Sequence, residues 1–394
     1  MPATGREYDV VLFGATGFTG RLAAHYLGRH GPPDLRWAIG GRDKARLEAV
    51  RQSLGRVAPQ ADVGVLQADV CDSRSMTDLA RSTRLVASTV GPFMEYGAPL
   101  VGACAEHGTD YADITGEAEF VDRMWLEHHE RAQQTGARLV HCCGFDSVPP
   151  DLGAWWTLQH LPSDVQIEMR GYVRAHGAIS AGTYRSAVRA FGRARQARST
   201  AAERRALEPR PSGRRTAATP LRPHREPVSG RWSVPLPTID PLVVRRSARA
   251  LPEYGPDFSY GHFAVVGTLP AVAATLAGTS GLMALSRVPP ARAALLRLKT
   301  SGHGPSEERR SVSWFTVRFV ATAGERTVVT EVSGGDPGYA ETAKMLAESA
   351  MCLVRDDLPE TYGQVTTAQA MGPALVDRLQ RAGITFRVRE PESG

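Results

Sequence analysis

Three glycines at three-residue spacing stand near the start of the chain, in Gly14-Ala15-Thr16-Gly17-Phe18-Thr19-Gly20. They follow the apolar run Tyr8–Phe13 and open the amphipathic stretch Phe18–Arg29, so a strand, a tight turn and a helix meet there. A turn of this kind lets the backbone approach a pyrophosphate, and the helix start offers free N–H groups and a positive dipole end to the anion. The spacing is G-x-x-G-x-x-G rather than G-x-G-x-x-G, so the context carries more weight than the glycines alone. The expected ligand is a dinucleotide.

The tip of the second apolar run indicates which dinucleotide. An NAD site usually places a carboxylate there for the ribose 2′-hydroxyl. This chain has Ile39-Gly40-Gly41-Arg42 instead, and Arg42 can pair with a 2′-phosphate through a planar guanidinium. Asp43 is the one discordant residue. Asp69, just past the third run, either contacts the adenine edge or caps the next helix. With Gly41 and Arg42 at the tip, the pattern predicts NADPH.

These residues need a sheet to hold them. In residues 1–150 short apolar runs (Tyr8–Phe13, Arg36–Ile39, Val63–Gln67, Leu85–Thr89, Tyr111–Ile114, Arg138–Cys142) alternate with helix-like segments. That alternation predicts a Rossmann-type parallel sheet binding NADP. After Pro149-Pro150 the pattern changes. Val165–Arg174 alternates like a strand with one wet face, and Ser311–Ala321 with Arg326–Val332 reads as a hairpin. The expected fold is therefore α/β, with residues 151–335 forming a second α+β domain on a largely antiparallel sheet. Residues 336–394 are expected to be helices packing back on the first domain.

Ligands of open α/β sheets bind at the carboxyl ends of the strands. Three Gly- and Pro-rich segments lie at such ends: VGPFMEYGAPLVGACAEHGTDYADITGE (90–117, covering two of them) and GFDSVPPDLG (144–153). Together with GGDPGYAETAKMLAESAMCL (334–353) they resemble the saccharopine dehydrogenase-like oxidoreductases, most closely the bacterial trans-acting enoyl reductases, over nearly the whole chain. The resemblance implies NADP dependence and reduction of a carbon–carbon double bond on acyl chains being built by a polyketide synthase that lacks its own enoyl reductase. Related saccharopine reductases act on a C=N bond. The resemblance also implies that Thr89, Val90, Gly91 and Pro92 run along the cofactor and that Asp146 and Ser147 face the nicotinamide.

Reduction of an enoyl thioester needs oxyanion stabilisation at the carbonyl and a proton for the α-carbon. Backbone amides near Gly91 or Gly116 suit the first task, and Tyr96, Tyr111 or water the second. Asp146 is read as orienting its loop, because an ionised carboxylate beside a developing enolate is unhelpful unless its pKa is raised. A Tyr-x-x-x-Lys pair is absent, since Tyr339 and Lys344 are five apart. Two other readings stay open: a reductase of a C=N bond or ketone, for which Arg170, Arg174 and Arg185 are candidate carboxylate ligands, and a non-catalytic NADP-binding, lipid-associated protein.

Composition adds limits. A net charge of +6 from 47 basic and 41 acidic residues does not predict nucleic-acid binding. Five cysteines, two adjacent, form neither a disulfide framework nor a metal motif, and no metal is expected. No basic and then apolar leader precedes the first strand, which predicts a cytoplasmic chain. Residues 189–231 hold twelve arginines against Glu203, Glu208 and Glu226. Their 199–231 part reads as a long exposed loop. The 189–231 region reads either as a solvated insertion or as a docking surface for an acyl substrate on an acidic acyl carrier protein, with anionic lipid headgroups attracted by the same patch. Residues 261–285 lack acidic and basic side chains other than His262. They read as buried core or an apolar substrate wall, with peripheral membrane contact left open.

Overall fold

A computed structural model describes residues 5–177, 180–298 and 304–389. Seven parallel strands form the first sheet: β1 (Tyr8–Phe13), β2 (Trp37–Gly41), β3 (Val63–Gln67), β4 (Thr83–Ser88), β5 (Asp110–Asp113), β6 (Arg138–Val140) and, far along the chain, β14 (Gly363–Val365). Their spatial order is β14-β6-β5-β4-β1-β2-β3. The order reverses between β1 and β4, which opens a crevice at the carboxyl ends of those two strands. Asp9 through Phe13 are all buried, as expected of a strand covered on both faces.

The second sheet comprises β7 (Ile167–His176), β8 (Arg215–Ala218), β9 (His224–Arg225), β10 (Trp232–Pro235), β11 (Asp257–Gly267), β12 (Trp314–Ala323), β13 (Arg326–Gly334) and β15 (Thr385–Arg389). It is antiparallel except around β11, which pairs in parallel with β7 and β8. The chain's last segment thus adds β14 to the first sheet and β15 to the second. Between these strands, helix 340–355 packs on helix 18–30 and behind β4. One apolar core runs from β1 and that helix through helix 148–158 to Phe315 and Phe319 of the second sheet.

Asp151 is a hub of this junction. It is fully buried and accepts from Thr367 Oγ1 at 2.7 Å, from the Ala368 N–H at 2.9 Å and from Ser247 Oγ. One carboxylate thereby ties helix 148–158 to helix 240–250 and to the short helix 367–370. Gly153, two residues later, permits close packing: a Cβ there would lie 2.9 Å from Val332 and run into the Phe319 ring.

Two expectations are corrected. Residues 199–231 are not a long loop, because 194–207 is helical and β8 and β9 follow. Several of the arginines are structural. Arg204 is buried between Asp122 at 3.2 Å and Glu208 at 2.7 Å, and Arg214 donates to the carbonyls of Gly255, Ala248 and Leu251. The apolar stretch is not core beyond its first residues. It divides into β11 and helix 269–287, and in that helix only Val272 and Ser286 are buried.

Asp151→Ala should cost about 3 kcal/mol of unfolding free energy, since it strands three buried donors. Asp151→Asn, which keeps an acceptor, should lose less. Chemical denaturation of the two variants checks this order.

Candidate active site

The glycine turn fits a phosphate cradle. Gly14 adopts φ 91°, and a Cβ there would lie 2.7 Å from Thr89 Oγ1 and 2.8 Å from Val90 Cγ2. A side chain at Gly20 would collide with the Gly14 carbonyl, so glycine is needed where helix 18–30 crosses the turn. No side chain caps this helix at Gly17 and its first turn has no acid, which leaves donors and dipole for an anion. Ala15 is buried, and the Thr16 carbonyl is braced by Arg21 Nη1 at 2.8 Å. Thr19 lies beside Phe18 in the first helical turn. The Phe18 ring packs edge-on to Tyr339 at 4.9 Å, and Arg310 of the second domain lies 5.8 Å from its centroid. Arg310 has no carboxylate partner among the described residues, and the sequence reading missed it.

At the ribose end the discordant acid is accounted for. Asp43 caps helix 44–57 by accepting from the Arg46 N–H at 3.0 Å. Arg42 stands exposed beyond Gly41, without a side-chain hydrogen bond or ion pair among the described residues. Asp69 caps no helix: its carboxylate accepts from the Cys71 N–H at 3.0 Å, and Asp72 takes the cap of helix 73–82.

The loops after β4, β5 and β6 are locked together by buried carboxylates. Asp113 accepts from the N–H groups of Thr115 and Cys142, both at 3.0 Å, and meets His141 Nδ1 at 2.7 Å. Glu117 accepts from the N–H groups of Phe93 and Met94, both at 3.1 Å, and from Ser186 Oγ of the second domain at 2.8 Å. This fixes the turn Thr89-Val90-Gly91-Pro92, in which the Gly91–Pro92 peptide is cis. The N–H groups of Gly91 and Gly116 have no acceptor among the described residues. Two donors are therefore left along the cleft.

The four candidate catalytic residues separate. Tyr96 is surface-exposed at the end of helix 93–96. Tyr111 is fully buried in the middle of β5, packed 5.6 Å from His141, and burial raises its pKa well above the ordinary phenol value. Ser147 is also fully buried, and its hydroxyl makes no cap bond to helix 148–158. Asp146 is half-buried in the loop after β6, beside the loop after β5. Its carboxyl would lie 3.1 Å from a Cβ on Gly116, and it has no hydrogen-bond partner among the described residues. Burial pushes its pKa up to about 6.

The second domain supplies the opposite wall. Asp240, at the start of helix 240–250, is buried, and burial together with the charge of Asp146 raises its pKa well above the carboxylate range. His262 on β11 lies 3.7 Å from Asp240 and 2.9 Å from the Tyr260 hydroxyl. Burial lowers its pKa to about 3, so the imidazole is neutral at physiological pH. Desolvation makes both carboxyls hold protons that exposed acids would release, and the Asp146 charge adds to the effect at Asp240. Asp240, Tyr260 and His262 carry no sequence signal of their own, because pairing of β11 with β7 brings them here.

A glycine cradle, a carboxylate-free ribose tip and a protonatable cleft at the switch point define an NADP-dependent oxidoreductase. Residues 10–140 match the model of the saccharopine dehydrogenase NADP-binding domain. The whole chain has the fold of yeast saccharopine dehydrogenase (L-Glu forming) from Saccharomyces cerevisiae, with a TM-score of 0.57 at 13% identity, covering 97% of this chain and 99% of that one. It is 35% identical to a trans-acting enoyl reductase of Mycobacterium tuberculosis, over 98% of this chain and 99% of the relative. To one of Mycobacterium ulcerans it is 34% identical, over 98% of each. The chain belongs to the trans-acting enoyl reductase family of saccharopine dehydrogenase-like proteins, and its cofactor is NADP(H).

Arg42→Ala should weaken NADPH binding about tenfold or more while sparing NADH, because it removes one charge-assisted contact to a 2′-phosphate. Arg310 lies over Phe18 at the start of helix 18–30, where a pyrophosphate common to both cofactors would sit, so Arg310→Ala should weaken both alike. Fluorescence titration with each nucleotide separates the two roles.

Proposed function

We propose that the protein uses NADPH to reduce the 2,3 double bond of an enoyl thioester, on acyl chains under construction by a polyketide or lipid synthase. The observation that supports this best is the Asp146 carboxyl, protonatable near neutrality in a buried cleft flanked by unengaged backbone donors. NADPH, when bound, supplies the hydride. The Gly91 and Gly116 N–H groups suit the thioester oxygen as negative charge develops there. Asp146 holds the proton destined for the α-carbon, and burial keeps it there up to about pH 6. Below about pH 6 Asp146 is protonated and presents no negative charge to the enolate.

A substrate bearing several carboxylates is a poorer fit. Arg170 pairs with Glu168, Arg174 lies 5.6 Å over the Trp314 ring, and Arg185 donates to the Leu296 carbonyl. The three cations are thus engaged at separate places rather than converging on one cleft.

The test is NADPH oxidation on 2-enoyl thioesters beside the lysine semialdehyde–glutamate pair. Turnover on the enoyl panel is expected, and turnover on the amine pair alone would refute the reading. A general acid works protonated, so kcat/KM should fall as pH rises through about 6. Asp146→Asn should remove that limb and lower the rate about a hundredfold, with the NADPH Kd unchanged. An unchanged limb in Asp146→Asn would leave Asp146 a loop-orienting residue.

We further propose that an acidic carrier protein docks on helix 194–207, whose Arg195, Arg198 and Arg205 are exposed while Arg204 is not. Reversing these three charges should cut the rate on carrier-bound substrate roughly tenfold, through kon. The rate on a free thioester should stay the same.

A further inference from the structure

Helix 269–287 is apolar along its length, yet only one narrow stripe of it touches protein. Leu269, Leu276 and Leu285 are 59%, 42% and 50% exposed, and Val288 and Leu298 of the next turn and helix are 48% and 73% exposed. The exposed side is broad, with Leu269 and Leu276 on one flank, Leu285 on the other and alanines, glycines and serines between them. An uncharged surface this long is unusual on a soluble protein and marks a contact. The chain has no acidic residue from Phe258 to Ser306, while Arg287 and Arg297 are exposed at the ends of helices 269–287 and 289–297.

We infer that the hairpin of helices 269–287 and 289–297 is a membrane-docking element, which lays its leucines into an anionic lipid surface and its arginines among the headgroups. A helix that is uncharged along its exposed side, with cations only at its end, suits burial of that side among lipid chains and of the cations among anionic headgroups. Charge selects lipid over a second copy of the chain: a copy would bring the same unpaired arginines and no acid to meet them, whereas anionic headgroups supply the countercharge. The helix lies on the membrane rather than through it, because helix 289–297 carries Arg292 and Arg297 and is too short to return across a bilayer.

The placement bears on the cleft. Helix 269–287 packs on helix 181–192, and Tyr184 of that helix donates to the Leu295 carbonyl at 3.3 Å. Ser186 of the same helix reaches Glu117, which holds the cofactor-side loops. A docked enzyme therefore keeps its cleft close to the lipid surface, where long acyl chains partition. The inference stands whether or not the reaction proposed above is correct.

The full-length protein is sedimented with vesicles of phosphatidylcholine alone and of phosphatidylcholine with phosphatidylglycerol. Binding to the anionic vesicles, weakened by high salt, is expected. Leu276→Asp/Leu285→Asp should lower partitioning roughly tenfold or more. Arg287→Gln/Arg297→Gln should lower it about tenfold on anionic vesicles only. Unchanged NADPH affinity and melting temperature show that both variants remain folded. Absence of binding to anionic vesicles would overturn the proposal, as would binding insensitive to the leucine changes. A dimer that Leu276→Asp/Leu285→Asp dissociates, without lipid binding, would assign the face to a second copy.

Discussion

The buried carboxylate of Asp113 holds the carboxyl edge of the first sheet in order. It takes backbone N–H groups from the loops after β5 and β6 and leans on His141, so Gly116 and Asp146 are fixed relative to one another. A buried carboxyl with fewer partners would be costly at that depth. With three, it fastens two loops whose sequences would otherwise leave them free to move. Glu117 extends the same device to the loop after β4 and, through Ser186, to the second domain. The cleft is therefore a rigid product of carboxylates that do no chemistry themselves.

That rigidity explains why acids with similar sequence surroundings behave differently. Asp146 and Asp151 stand five residues apart in one Gly- and Pro-rich segment. Asp151 is saturated with donors and joins three helices. Asp146 has none among the described residues, is half-buried and keeps its proton to about pH 6. Environment, not residue type, assigns one to structure and the other to chemistry.

The arginine-rich region shows the same division. Arg204 and Arg214 are consumed by buried partners, while Arg195, Arg198 and Arg205 remain on the outer face of one helix. A count of charges along the chain registers an excess but cannot tell which cations the fold has already neutralised. The apolar stretch after it misled in the opposite direction. Its hydrophobicity suggests interior, yet helix 269–287 packs on helix 181–192, on helix 289–297 and on the ends of β10 and β11 along one side, and leaves the other side outside.

The sequence by itself determined the parts whose physics is local. A strand, three glycines and a helix start fix a phosphate-binding turn, because backbone φ and the absence of Cβ decide it within seven residues. The glycine–arginine tip of β2 is equally local, and so is the alternation that makes the first sheet parallel. The motifs after β4, β5 and β6 located the cleft, but not which of their side chains face it. Only the tertiary structure placed Tyr111 and Ser147 in the interior, Tyr96 on the surface and Asp146 in the cleft. Only strand pairing between β7 and β11, with helix 240–250 packed behind, brought Asp240, Tyr260 and His262 opposite Asp146. Burial and long-range pairing belong to the packed whole, and no short window of sequence contains them.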